Sequence, residues 1–116
     1  MHQLPCNSQW KLITEVDGVK VYLDEASIEA VGTIRRVVLK YVTTQYGTDL
    51  RNGKAVKETV MHEEYDLHSS NFRIHRITFV YDNGEVGDPL SIDPKWQPAT
   101  GGSQTNLEYL RLHSSH

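Results

Sequence analysis

In Asp17-Gly18-Val19-Lys20-Val21-Tyr22-Leu23-Asp24, residues 17–24, a turn and a strand stand side by side. Asp-Gly is a two-residue hairpin turn because both positions tolerate positive φ. The residues after it alternate, with Val19, Val21 and Leu23 to one side and Lys20, Tyr22 and Asp24 to the other. A strand with one apolar and one wet face belongs to an antiparallel sheet. Upstream, Trp10, Leu12 and Thr14 share one side of the strand that completes the hairpin. Downstream, Asp24-Glu25-Ala26-Ser27-Ile28 reads as a short helical turn, with the Asp24 carboxylate accepting near the Ser27 amide and Gly32 ending the excursion.

The same reading carries to the end of the chain. A third strand from Ile34 to Thr44 sets Val37, Leu39 and Tyr41 against Arg36, Val38, Lys40 and Val42. Gln45 to Lys54 holds Gly47, Asp49, Asn52 and Gly53 and is expected to be a mobile loop. A fourth strand runs from Val56 to Leu67. A fifth, Phe72 to Asp82, switches its apolar phase from Phe72 and Ile74 to Ile77, Phe79 and Tyr81, which calls for a bulge near His75-Arg76. Asp82-Asn83-Gly84 turns the chain into a sixth strand, Glu85 to Ile92, held to an edge by Pro89, Pro94 and Pro98. After Gly101-Gly102, Thr105 and Glu108 have capping-box spacing, and Leu107, Tyr109, Leu110 and Leu112 form the apolar stripe of one terminal helix. The expected fold is α+β: an antiparallel meander of about six strands with a C-terminal helix packed on one face. A leader over 1–9, a single domain over 10–112 and a tail over 113–116 complete the expected organisation.

With 116 residues, 38% hydrophobic and 23% charged, the chain suits one globular domain. Twelve Lys and Arg against 15 Asp and Glu give a net charge of -3, so no basic field exists to hold a phosphate backbone and no nucleic-acid partner is expected. Apolar runs reach only three residues, as in Val37 to Leu39, so no membrane-spanning segment is expected. The opening MHQLPCNSQW lacks the basic and apolar regions of an export signal, although a chain whose signal had been replaced by Met1 would read the same. Cys6 is the single cysteine, which forbids an internal disulfide and reads as an unpaired thiol in the leader.

Chemistry is sparse. His62, Glu64, Asp66 and His68 share one face of the fourth strand, and imidazole with carboxylate suits zinc. Two-residue steps are nearly 7 Å apart, so one ion could take few of them without help from a neighbouring strand, where His75 or Arg73 would lie. The same row also reads as a solvated face of offset charges, or as histidines that tune binding with pH. Glu63 and Glu64 point to opposite faces and cannot act on one atom. Ser69-Ser70 beside His68 reads as a turn, lacking the strained elbow of a nucleophile. No GxGxxG, Walker loop, HExxH or CxxC occurs, and no cofactor is expected. Tyr46, in the glycine-bearing loop, is a candidate for protein recognition.

Trp10, Val21-Tyr22-Leu23-Asp24 with Ser27-Ile28, Tyr65-Asp66-Leu67 with Arg73 and Arg76, Tyr81-Asp82-Asn83-Gly84 and Trp96-Gln97-Pro98 together resemble the surface-adhesin protein E family of bacterial exported proteins. The resemblance implies an antiparallel sheet backed by a helix, residence in the periplasm, on the cell surface or in secreted form, and binding to host matrix or plasma proteins without enzymatic activity. The family's cysteine pair, tying helix to sheet, is replaced here by Leu67 and Leu110. Two leucines in contact contribute about 3 kcal/mol, comparable with a disulfide. The expected function is therefore a non-enzymatic binding domain that presents Lys20, Tyr22, Arg36, Lys40, Tyr46, His62 and Glu64 to a protein or other macromolecule. A metal-binding or hydrolytic protein using His62, Glu64, Asp66 and His68 is the alternative, and an edge-paired homodimer is also open.

Overall fold

A computed structural model describes residues 10–114. The leader expected over 1–9, Cys6 included, lies outside the described residues, as do 115 and 116. Eight strands and one helix follow in order: β1 (Trp10–Val16), β2 (Val19–Asp24), β3 (Glu29–Val31), β4 (Ile34–Thr48), β5 (Ala55–Asp66), β6 (Asn71–Tyr81), β7 (Leu90–Ser91), β8 (Gln97–Pro98) and α1 (Gly102–Ser114). All pairings are antiparallel, in the order β1-β2-β4-β5-β6-β7, with β3 also on β4 and β8 also on β6. The fold is the expected α+β meander, with two small extra strands.

Turn chemistry explains the first hairpin. Asp17 and Gly18 both adopt positive φ, 54° and 78°. A 3-10 helix over Glu25–Ser27 follows β2, capped by the Asp24 carboxylate, which accepts from the Ala26 amide at 3.1 Å rather than from Ser27. The bulge read from the phase switch is present. His62 pairs with Arg76 and Glu63 with Ile74, leaving His75 as the unpaired extra residue of β6.

Five expectations are corrected. The third strand does not stop at Thr44: β4 continues to Thr48 after a register shift between Val42 and Gly47, so Tyr46 stands on a strand end. What remains of the loop is pinned rather than mobile. Buried Asp49 accepts from the Arg51 amide and guanidinium and from the Tyr81 hydroxyl, while its carbonyl accepts from the Asn52 and Gly53 amides. The sixth strand shrinks to Leu90–Ser91 and one bridge between Val80 and Val86. There Gly87 presses so closely on Tyr81 that an added Cβ would sit 2.5 Å from its hydroxyl. The helix starts at Gly102, inside which Thr105 donates back to the Gly101 carbonyl, and Ser103 Oγ accepts from the Thr100 amide at 2.9 Å as the entry contact. It also takes in residues 113 and 114 of the expected tail, because Arg35 Nε donates to the Ser114 carbonyl at 2.8 Å.

The helix lies on one face of the sheet. Val21, Leu23, Val37, Leu39, Tyr65, Leu107 and Leu110 form the buried cluster there, with Leu67 and Phe72 packed against it. Leu67 and Leu110 thus meet in one cluster, and Arg111 donates to the Leu67 carbonyl at 2.7 Å beside them. A smaller cluster of Val38, Val60 and Val80, with Trp10 and Val86, occupies the other face.

Candidate functional site

On the face away from the helix, alternation brings Arg36 and Val38 of β4 opposite Glu64 and His62 of β5, and these opposite Arg73 and Arg76 of β6. The bulge makes this possible. Arg73 and Arg76 differ by an odd number of positions and would point to opposite faces of a regular strand; the extra residue, His75, restores both to one face and aims its own ring at Glu64.

Glu64 is the centre. Only 2% exposed, its carboxylate accepts from Arg36 Nε at 2.8 Å through Oε2 and from Arg73 Nε at 2.7 Å through Oε1, where the His75 Nε2 also meets it. Burial pushes the carboxyl up, but the hydrogen bonds from Arg36, His75 and Arg73 outweigh it and hold the group down to about 2. So firmly ionised a carboxylate is a weak base and is suited to organising its cations. Arg73 is further fixed by the Trp96 ring, 4.3 Å from its guanidinium carbon.

Above this centre a groove of about 570 Å³ is lined by Ser27, Glu29, Arg36, His62, Arg76 and Ser91, with Glu64 and His75 in its wall. Its ionic side chains come from β3, β4, β5 and β6, with Ser91 from β7. Burial lowers the His62 imidazole from its usual range, and the charges of Arg76 and His75 lower it further.

Beside the groove, Lys40 Nζ stands 4.7 Å from the Trp10 ring centre and 5.1 Å from that of Tyr22, a cation over two aromatic faces. Of the residues expected to meet a partner, Arg36, His62 and Glu64 therefore share the groove, and Tyr22 and Lys40 form the adjoining cluster. Lys20, paired with Val42, lies further along the same face of β2, and exposed Tyr46 stands apart, within the register shift between Val42 and Gly47.

The metal row does not assemble. Glu64 is enclosed by cations; Asp66 caps the following turn, accepting from Thr33 Oγ1 and the His68 and Ser69 amides; His68 lies in that turn, past the end of β5. Among the described residues no three His, Cys, Asp or Glu side chains are placed to hold one ion.

A second polar centre, beneath the helix, escaped the sequence reading. Buried Glu63 accepts from Tyr65 Oη at 2.5 Å and from Tyr41 Oη at 3.0 Å, and Asn106 of α1 donates to both hydroxyls. Burial raises the Glu63 carboxyl to about 7 against the two tyrosine bonds. Its signal was available: Glu63 falls between Met61 and Tyr65 on the apolar side of the alternation. Arg76 reaches the groove through the bulge, which puts it on the same face as Arg73.

No family model matches the chain, and no curated protein is detectably similar to it.

Proposed function

We propose that the protein is a non-enzymatic binding domain that receives a macromolecular partner on the open face of its sheet. One observation carries this reading: the helix covers a single face, and on the other a charged network around Glu64 is held in fixed geometry beside the Lys40–Trp10–Tyr22 cluster. Locked cations and aromatics with small freedom to reorganise are what a recognition surface needs, since less ordering entropy is lost on docking. The Glu64 carboxylate, held at about 2, is ill suited to proton transfer near neutrality, which favours binding over catalysis for this face.

The resemblance to surface-adhesin protein E supports exported residence and a partner among matrix and plasma proteins. The test is surface plasmon resonance of immobilised matrix and plasma proteins against the wild type, against Lys40→Ala with Tyr22→Ala, and against Leu112→Ser on the exposed side of the helix. Saturable binding that falls at least about tenfold in the open-face double variant and survives in Leu112→Ser is the expected outcome. Absence of binding to every protein tried, or loss only in the helix variant, would overturn the reading.

A further inference from the structure

His62 and Arg76 face each other directly across β5 and β6, a cross-strand pair of basic groups where an acid would be stabilising. Among the described residues neither takes part in an ion pair, whereas Arg36, Arg73 and His75 are all engaged by Glu64. Along the groove wall the guanidiniums of Arg36 and Arg76 stand with the carboxylates of Glu29 and Glu64, while the Glu63 carboxyl turns away under the helix to Tyr41 and Tyr65; Glu64 is taken up by Arg36, Arg73 and His75, which leaves Arg76 and His62 outside that network. Protonation of an imidazole makes this wall positive although the chain as a whole carries -3. A fold that sets two basic groups opposite one another on the wall of a groove, with neither in an ion pair among the described residues, has a place for an acid supplied from outside.

We infer that the groove takes a carboxylate side chain of an acidic peptide segment, seated between the Arg76 guanidinium and the His62 imidazole. The inference rests on the binding-domain reading and names the chemistry of the partner. The site already displays its chosen ligand class: one carboxylate, Glu64, is held there by two arginines and a histidine, and the neighbouring Arg76–His62 pair repeats the arginine-plus-imidazole half of that arrangement without its acid. At about 570 Å³ the groove admits a short run of side chains rather than a folded domain. His62 stands opposite Arg76 of β6, with His75 of the same strand also acting on its imidazole, and the groove wall around it carries Arg36 of β4, Glu29 of β3 and Glu64 of its own strand. Burial, and then the charges of Arg76 and His75, resist its protonation; an arriving carboxylate offsets those charges, and binding takes up a proton.

The test is calorimetry with a synthetic hexaglutamate peptide at low salt, at about pH 5.5 and about pH 8. Sulfated oligosaccharide and inorganic phosphate serve as competing anions. Wild-type binding should be at least about tenfold tighter at the lower pH, with proton uptake seen as a dependence of the heat on buffer ionisation. Arg76→Gln should lose at least about tenfold in affinity while unfolding at an equal or higher temperature, because it removes the opposed pair; His62→Gln should bind with a flattened pH dependence. No peptide binding at about pH 5.5, affinity unchanged in Arg76→Gln, or binding by the sulfated oligosaccharide or phosphate in preference to the peptide would each overturn the inference. A matrix or plasma protein that binds the open face equally well in Arg76→Gln would overturn it while leaving the broader reading standing.

Discussion

Glu63 and Glu64 are neighbours with opposite fates because adjacent strand residues point to opposite faces. Glu64 looks into an open groove of cations and is held ionised; Glu63 looks under the helix, where burial raises its carboxyl to about 7 against the hydroxyls of Tyr41 and Tyr65. The consequence for stability follows from linkage. A carboxyl whose folded-state value lies above the ordinary 4.5 keeps its proton longer in the native protein, so its contribution is full below about pH 4.5 and is lost as pH rises through about 7. The loss approaches about 3 kcal/mol. Urea unfolding of the wild type and Glu63→Gln at about pH 5 and pH 8 should show the steeper decline in the wild type. The lowered His62 imidazole acts with the opposite sign, reducing stability toward acid, but is common to both proteins and drops out of the comparison. Parallel declines would contradict the buried, two-tyrosine environment of Glu63.

At the scale of elements, the helix is held by one face and by its end. Leu107 and Leu110 are buried in the main cluster, whereas Leu112, at 80% exposure, reaches solvent. Leu110→Ala should therefore cost about 2–5 kcal/mol, the usual loss for a large side chain leaving a cavity. Leu112→Ala should stay within about 0.5 kcal/mol. Equal costs in denaturant melts would mean that the helix docks by another face. The β6 bulge is the element with most bearing on recognition. Without His75 as an extra residue, Arg73 and Arg76 could not both reach the open face, and Glu64 would keep fewer partners.

Across the whole molecule, β4 and β5 form the longest pairing and β5 is flanked again by β6, so β5 is bonded on both sides over most of its length, while β3 and β2 cover stretches of the other side of β4. β1 is an edge, interrupted by a shift between Leu12 and Thr14, and β7 and β8 are two residues each. Amide exchange should be slowest in Val37–Leu39 and Val60–Tyr65 and fastest in β1, β7 and β8; protection of β1 equal to that of β5 would mean that its edge is covered, as in an edge-paired dimer. The meander, the two-faced strands, the bulge and the terminal helix were all legible in the amino-acid order. They depend on local turn chemistry and on side-chain period, which the backbone imposes on any sequence. Less legible were the extension of β4 through Gly47, the pinned Asp49 loop, the contraction of the sixth strand and the early start of the helix, each settled by contacts between residues far apart in the chain. The groove belongs to that second kind. His62 and Glu64 announce themselves on one strand, but whether they would meet a metal, a solvated surface or a ring of arginines depended on register across two neighbours, and register is set by the packing of the sheet as a whole.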